Sequence, residues 1–258
     1  MDTILATIVK QVREAERENL FRFSPEKFVL EKRKKPLELK PLIGRGFFVI
    51  AEVKKGSPSR GLIRPDLDPA GLAREYEAGG ASAVSVITES RYFFGDKEFL
   101  TRVKESVGLP VLRKDFLVHP FQVYESYNLG ADFILLIAAC LTGGELAKMR
   151  EAARALGLGV LLEIHDREEW TRASSLKPDL VGINNRDLKD FSVDWRRSLE
   201  LRPHVPPDIP VISESGIRSQ EQVRVLKEAG FAGILVGEHL IRSGDPGRTL
   251  RELIDGKD

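Results

Sequence analysis

Phe47-Phe48-Val49-Ile50-Ala51-Glu52-Val53-Lys54 is the stretch whose reading decides the fold. Its near-continuous apolar run is that of a strand covered on both faces, as the strands of a parallel sheet are. It ends in two charges, and Glu52 and Lys54, two residues apart, alternate onto the same strand face.

Seven further runs of the same kind follow: Ala83–Thr88, Val111–Phe116, Phe133–Ala138, Gly159–Ile164, Leu180–Asn184, Pro210–Ser215 and Ile234–Gly237. They recur roughly every 20 to 33 residues, the pitch of a strand plus a helix. The stretches between them carry helix signals. Asp68-Pro69 reads as an N-cap followed by proline, and Thr142 with Glu145 and Ser219 with Gln222 read as capping boxes. Leu146, Met149, Ala153 and Leu156 repeat at helical spacing before Gly157, and Gly79-Gly80 and Gly230 end helices in the same way. Eight such units predict an α/β chain closed as a (β/α)8 TIM barrel. An open doubly wound sheet is the alternative. Residues 1–46 lie outside the repeat. Ile4, Leu5, Ile8, Val9 and Val12 form an apolar helical stripe, so an N-terminal helical extension packed on a single barrel domain, residues 1–258, is expected. The basic stretch Lys32–Lys35 reads as a solvated turn.

With 258 residues the chain matches one barrel in size. Its 42% hydrophobic and 31% charged residues argue against disorder, and a net charge of +1 offers no footprint for nucleic acid or a membrane surface. Cys140 is the lone cysteine, which excludes an internal disulfide framework and a cysteine-rich metal site. There is no signal-peptide layout and no long apolar span, so a cytosolic protein is expected.

The chemistry is written at the strand ends. A buried charge is costly unless paired or functional, and in this fold the C-terminal face carries the site. Glu52 and Lys54 end the first strand. Leu112-Arg113-Lys114-Asp115 ends the third, where either Arg113 or Lys114 faces inward and the other meets a helix. Glu163 stands alone in an apolar fifth strand. Asn184 and Arg186 share a side if the sixth continues, and a guanidinium fork there suits a planar carboxylate. After Glu214, Ser215-Gly216 follows the seventh strand, and Gly237-Glu238 follows the eighth. Glycines at both places let backbone N–H groups approach a phosphate, or else simply make tight turns. Gly56-Ser57-Pro58-Ser59 offers further donors. Gly44-x-Gly46 is no dinucleotide fingerprint, because it follows no strand. His119, His165, His204 and His239 are scattered and read as structural, and Cys140 reads as buried and inert.

With these residues assembled, the chain resembles the indole-3-glycerol phosphate synthase family over nearly its whole length. The matching stretches are Ala51–Lys54 with Ser57–Ser59, Ser85 through Phe93, Leu112–Phe116, Leu162-Glu163, Gly182–Leu188, Ser213–Ile217 and Val236–Glu238. The resemblance implies conversion of 1-(2-carboxyphenylamino)-1-deoxyribulose 5-phosphate to indole-3-glycerol phosphate, with loss of CO2 and water and no cofactor or metal. It implies Lys114 as general acid in ring closure and Glu163 as proton manager in dehydration. Lys54 is then a second cation with Glu52 as its partner, and Asn184 and Arg186 hold the anthranilate end. Glu214 meets the hydroxylated chain, and Phe93 and Phe116 wall the aromatic ring beside Ser85. Ser57, Ser215, Gly216, Gly237 and Glu238 grip the phosphate. The small phosphorylated aromatic amine is the expected partner, with no nucleic acid or membrane. A monomer is the default expectation, which no residue pattern fixes. The competing readings are another phosphate-binding barrel, such as a phosphosugar isomerase or epimerase, and a non-catalytic phospholigand-binding barrel.

Overall fold

The run that opens the repeat forms strand β1, Phe48–Val53, every residue of which is buried. β-Branched Val49, Ile50 and Val53 suit the pleated backbone. The structure, a computed structural model, describes residues 4–28, 30, 34–187 and 191–255. Seven barrel strands follow: β2 Ala83–Ile87, β3 Val111–Lys114, β4 Phe133–Ile137, β5 Gly159–Ile164, β6 Leu180–Asn184, β7 Val211–Glu214 and β8 Gly233–Val236. Each pairs in parallel with its sequence neighbours, and β1 also pairs with β8, from Phe48↔Gly233 to Ala51↔Val236. That seam closes the sheet and eliminates the open alternative. A short hairpin, Gly56–Ser57 with Gly61–Leu62, rises from the end of β1.

β5 and β6 have the bounds the sequence predicts, and the other six strands differ from it by one or two residues at one or both ends, for local reasons. β3 stops at Lys114, because Asp115 Oδ1 accepts the Phe116 N–H at 2.8 Å and diverts the backbone. β7 starts at Val211, since Pro210 has no N–H for the ladder.

Thr142 and Ser219 make the expected capping boxes at the helices Gly143–Ala155 and Gln220–Glu228. Asp68 does stand at the N-cap of Pro69–Ala78, but its side chain makes no cap bond. Its Oδ1 accepts instead from Arg102 Nη2 at 3.1 Å, which ties two helices. His119 caps Pro120–Asn128 with Gln122 as its box partner. A search for Ser, Thr, Asp and Asn overlooks that cap.

The N-terminal residues touch both ends of the barrel. The helix Ile4–Ala15 lies over the mouth, with Ile8 buried and Leu5, Val9 and Val12 packed on the core. Phe23 and Phe28 then pack edge-on against Phe121 and Tyr124, with ring centroids 5.2 to 5.9 Å apart. Such contacts are worth about 0.5–1.5 kcal/mol each beyond burial. At the opposite end the Leu37 N–H donates to Asp132 Oδ1 at 2.9 Å, and buried Leu39 packs against Gly159 and Phe133 where β5 and β4 begin. Of the basic stretch, Lys32 and Arg33 lie outside the described residues. Lys35 is exposed and pairs with Glu38 at 2.9 Å.

Candidate active site

The C-terminal ends of the strands converge on one cavity, and alternation decides which side chains reach it. On β1, Glu52 and Lys54 point the same way, and Lys54 Nζ meets Glu52 Oε1 at 2.6 Å. On β3 the open choice resolves cleanly. Lys114 turns inward, with Nζ 3.2 Å from Glu163 Oε2 on β5 and 3.8 Å from Glu214 Oε2 on β7. Arg113 turns outward and is fully buried under the helix Pro120–Asn128. There it donates to Glu125 at 2.8 Å, Ser126 at 3.1 Å and Asp115 at 3.1 Å. Buried Arg113 thus braces β3 directly behind Lys114.

Three carboxylates and two ammonium groups therefore share one largely buried cluster, and their ionisation is interdependent. Burial would lower the Lys114 ammonium, but Glu163, Glu214 and Glu52 outweigh it and hold it protonated well above ordinary lysine. Burial would raise Glu163, yet Lys114, His165 and a hydrogen bond from Asn184 keep it below its ordinary value. Burial also opposes ionised Glu52, which Lys54, Lys114 and Arg186 nevertheless hold low. Glu214 goes the other way. Burial first, then repulsion from Glu163, pushes it up to about 8, and neither carboxylate oxygen has a hydrogen-bond partner.

β6 ends at Asn184, whose Oδ1 accepts from the Arg186 N–H at 3.0 Å and from Ser215 Oγ at 2.9 Å. The Arg186 guanidinium donates to the Phe191 carbonyl at 3.2 Å and lies 3.6 Å from Glu238. Asn185 is buried and ties Ser198, Ser213 and Ser215 together behind the wall. Phe93 and Phe116 line the cavity with centroids 6.2 Å apart. Ser57, Ser215 and Gly216 reach the same cavity from other loops, as do Gly237 and Glu238. Ser85 does not. It is fully buried beneath the wall, its Oγ unpartnered.

Two glycines serve the carboxylates. A Cβ on Gly182 would collide with Glu214 Oε1, and one on Gly237 would collide with the Glu52 side chain. The bare backbone of Gly182 makes the space in which Glu214 is buried. Gly182→Ala is expected to lower stability by about 1–3 kcal/mol through this overpacking. Urea denaturation checks it, and an unchanged midpoint would rule out the close approach.

Several lining residues escaped the sequence reading. Ile4, Leu5 and Ile8 form an apolar ceiling; periodicity revealed their stripe but not the surface it meets. Glu89, near the end of β2, accepts the N–H groups of Arg91, Tyr92 and Phe93 at 2.7 to 2.9 Å and so shapes the loop that carries Phe93. Its signal in the sequence is the same as that of Glu52 and Glu163, a charge at a strand end. Arg218 adds a cation to the rim beside His239. Cys140 is buried with its thiol pushed up by burial, as an inert cysteine would be. Among the described residues, no group of three or more His, Cys, Asp or Glu side chains is placed to hold a metal ion.

The family model described as indole-3-glycerol phosphate synthase matches residues 1–253. A protein of that name from Desulfotalea psychrophila is 44% identical over 256 residues, covering 98% of this chain and 97% of its own. One from Acidovorax sp. (strain JS42) is 47% identical over 209 residues, covering 80% and 79%. Among solved structures, a 3-hexulose-6-phosphate synthase superposes with a TM-score of 0.65 at 15% identity, covering 80% of this chain and 98% of its own. An N-acetylmannosamine-6-phosphate 2-epimerase from Clostridium perfringens gives 0.62 at 19%, covering 82% and 94%. At those identities the two structures share the fold alone.

Proposed function

The chain belongs to the indole-3-glycerol phosphate synthase family, and we propose that its barrel mouth closes, decarboxylates and dehydrates 1-(2-carboxyphenylamino)-1-deoxyribulose 5-phosphate. The product is indole-3-glycerol phosphate, which makes the chain a carboxy-lyase of tryptophan biosynthesis. One observation carries the reading: Lys114 projects into the cavity at the barrel mouth, flanked by Glu163 and Glu214 at 3.2 and 3.8 Å.

The steps follow from charge. The electron-rich aniline ring attacks the ketone, whose oxygen gains negative charge in the transition state. Lys114 donates a proton there, and in a dry site that interaction is far stronger than in water. Loss of CO2 restores the aromatic ring. Departure of the resulting hydroxyl then needs a second proton donor, and removal of a proton needs a base. Glu163 manages protons in that dehydration, with Lys54, held by Glu52, as the second cation. Asn184 and Arg186 hold the anthranilate carboxylate, and Phe93 and Phe116 face its ring. Glu214, whose carboxyl burial and Glu163 push up, meets the substrate hydroxyls as donor or acceptor. Ser57, Ser215 and the backbone N–H groups of Gly216, Gly237 and Glu238 take the phosphate. The Glu238 carboxylate itself is turned to Arg60, Arg186 and Arg242, at 3.3 to 3.6 Å.

Incubation with the carboxyphenylamino substrate should give indole fluorescence, and absence of product would overturn the reading. Arg186→Ala should raise KM roughly 10- to 100-fold, the worth of one charged hydrogen bond, with kcat changed much less. A dominant fall in kcat would assign Arg186 a chemical role. Among the described residues, no helix is long and apolar enough to cross a membrane. A monomer at work in the cytosol is the setting we propose.

A further inference from the structure

His165 follows Glu163 by two residues, just past the end of β5, and its ring turns toward Glu163, yet the proposed mechanism gives it no task. Its side chain is only 9% exposed, and both ring nitrogens face carboxylates. Nδ1 lies 3.2 Å from Glu169 Oε2, which also accepts the His165 backbone N–H at 2.8 Å. Glu169 is fixed in turn, since its own N–H is capped by Asp166 at 2.8 Å. On the other side of the ring, Nε2 lies 3.4 Å from Glu163 Oε1. That contact is within ion-pair range but off hydrogen-bond alignment, so Nε2 is a buried polar atom without a hydrogen bond.

The geometry restricts what the ring can be. A proton on Nδ1 serves Glu169, and a bare lone pair on Nε2 would then face a second carboxylate. Protonation of both nitrogens removes that conflict. Glu163 is thereby held from two sides, Oε2 by Lys114 at 3.2 Å and Oε1 by the ring.

We propose that His165, clamped from behind by Glu169, is a positioning residue that holds Glu163 ionised and aimed at Lys114. The inference rests on Glu163 being the proton-handling carboxylate of the proposed reaction. The ionisable groups around the ring are Glu163 on β5, Glu169 on the helix Arg167–Ala173 and Glu214 on β7. The Cys140 thiol lies close to the same two glutamates, Glu163 and Glu169. Burial would lower the imidazole, but the Glu169 bond and the carboxylate charges raise it, consistent with an imidazolium in this place.

The test is the pH profile of kcat for the full chain, its His165→Ala and His165→Gln variants, and Glu163→Gln in parallel. Loss of the ring charge should move the acid limb of kcat upward by about one pH unit. Below the limb that is roughly a tenfold loss of turnover. KM should stay within a few-fold, and His165→Gln, which retains an amide donor, should recover part of the shift. A purely structural histidine would lower the melting temperature and leave the limb in place, and an unmoved limb in folded His165→Ala overturns the proposal. If that variant does not fold, folded His165→Gln is read instead, and a fixed limb there also overturns the proposal. Near-normal turnover of Glu163→Gln, by contrast, would overturn the underlying assignment of Glu163.

Discussion

Lys114→Ala should reduce kcat by roughly 10²–10⁴-fold, the usual contribution of a positioned acid, while KM stays within a few-fold. The asymmetry follows from when the charge is needed. In the ground state the ammonium is already paired with Glu163, so it contributes little to holding substrate. In ring closure it meets an oxygen that is becoming an alkoxide, and that interaction exists only in the transition state. Removal also uncovers a second effect. Glu163 loses the foremost charge that offsets its burial, so it should take up a proton at higher pH and dehydration should slow as well. Single-turnover measurements with the substrate would separate the steps. Circular dichroism and thermal melts of the variant must show a folded barrel for the comparison to stand. Near-normal turnover in a folded Lys114→Ala protein would remove Lys114 from its role as acid.

Glu214→Gln should make the protein more resistant to heat, increasingly so as pH rises from about 5 to about 8, while lowering turnover. In the folded chain the carboxyl is pushed from an ordinary 4.5 up to about 8 by burial and by Glu163. Between those values the unfolded chain has released the proton and the folded chain retains it, so each pH unit favours unfolding. Below about 4.5 both states are protonated and nothing is lost, and above about 8 the penalty is complete. Its full size is on the order of 5 kcal/mol. Glutamine has the same shape and no charge to bury, so the penalty disappears. The variant's advantage in melting temperature should be small at pH 5 and largest at pH 8 and above. A constant advantage across that range would mean that Glu214 ionises normally. The activity loss is expected because glutamine cannot exchange a proton with the substrate hydroxyls. A group kept in place against its effect on stability is what a working site would retain.

Much of this site was legible one residue at a time. Glu163 stood out because a carboxylate inside Leu161-Leu162-Glu163-Ile164 has no structural reason to be there. Glu52 and Lys54 could be assigned to one face because strand alternation is strict. The choice between Arg113 and Lys114 could not be made, since both are cationic and adjacent. Only the helix Pro120–Asn128, with Glu125 and Ser126 waiting outside the sheet, decides that Arg113 goes out and Lys114 comes in. His165 reads in the sequence as a lone structural histidine, because its meaning lies in Glu169, which folds back from the following helix. The local pattern of Asp68 predicts a cap, and it does stand at the N-cap, but a neighbouring helix brings Arg102 to its side chain instead.

The sequence by itself determined the eight strands, the helices that alternate with them and the charged rim. Those depend on short-range rules of alternation, capping and the cost of burying charge. The tertiary structure decided the rest: that β1 closes on β8, that the helix Ile4–Ala15 roofs the mouth and Leu39 sits under its opposite end, and that Lys114 stands between Glu163 and Glu214. The physical reason is range. Lys114 and Glu163 are 49 residues apart in the chain and 3.2 Å apart in space. A carboxylate learns whether it will be ionised only when folding has removed its water and chosen its neighbours.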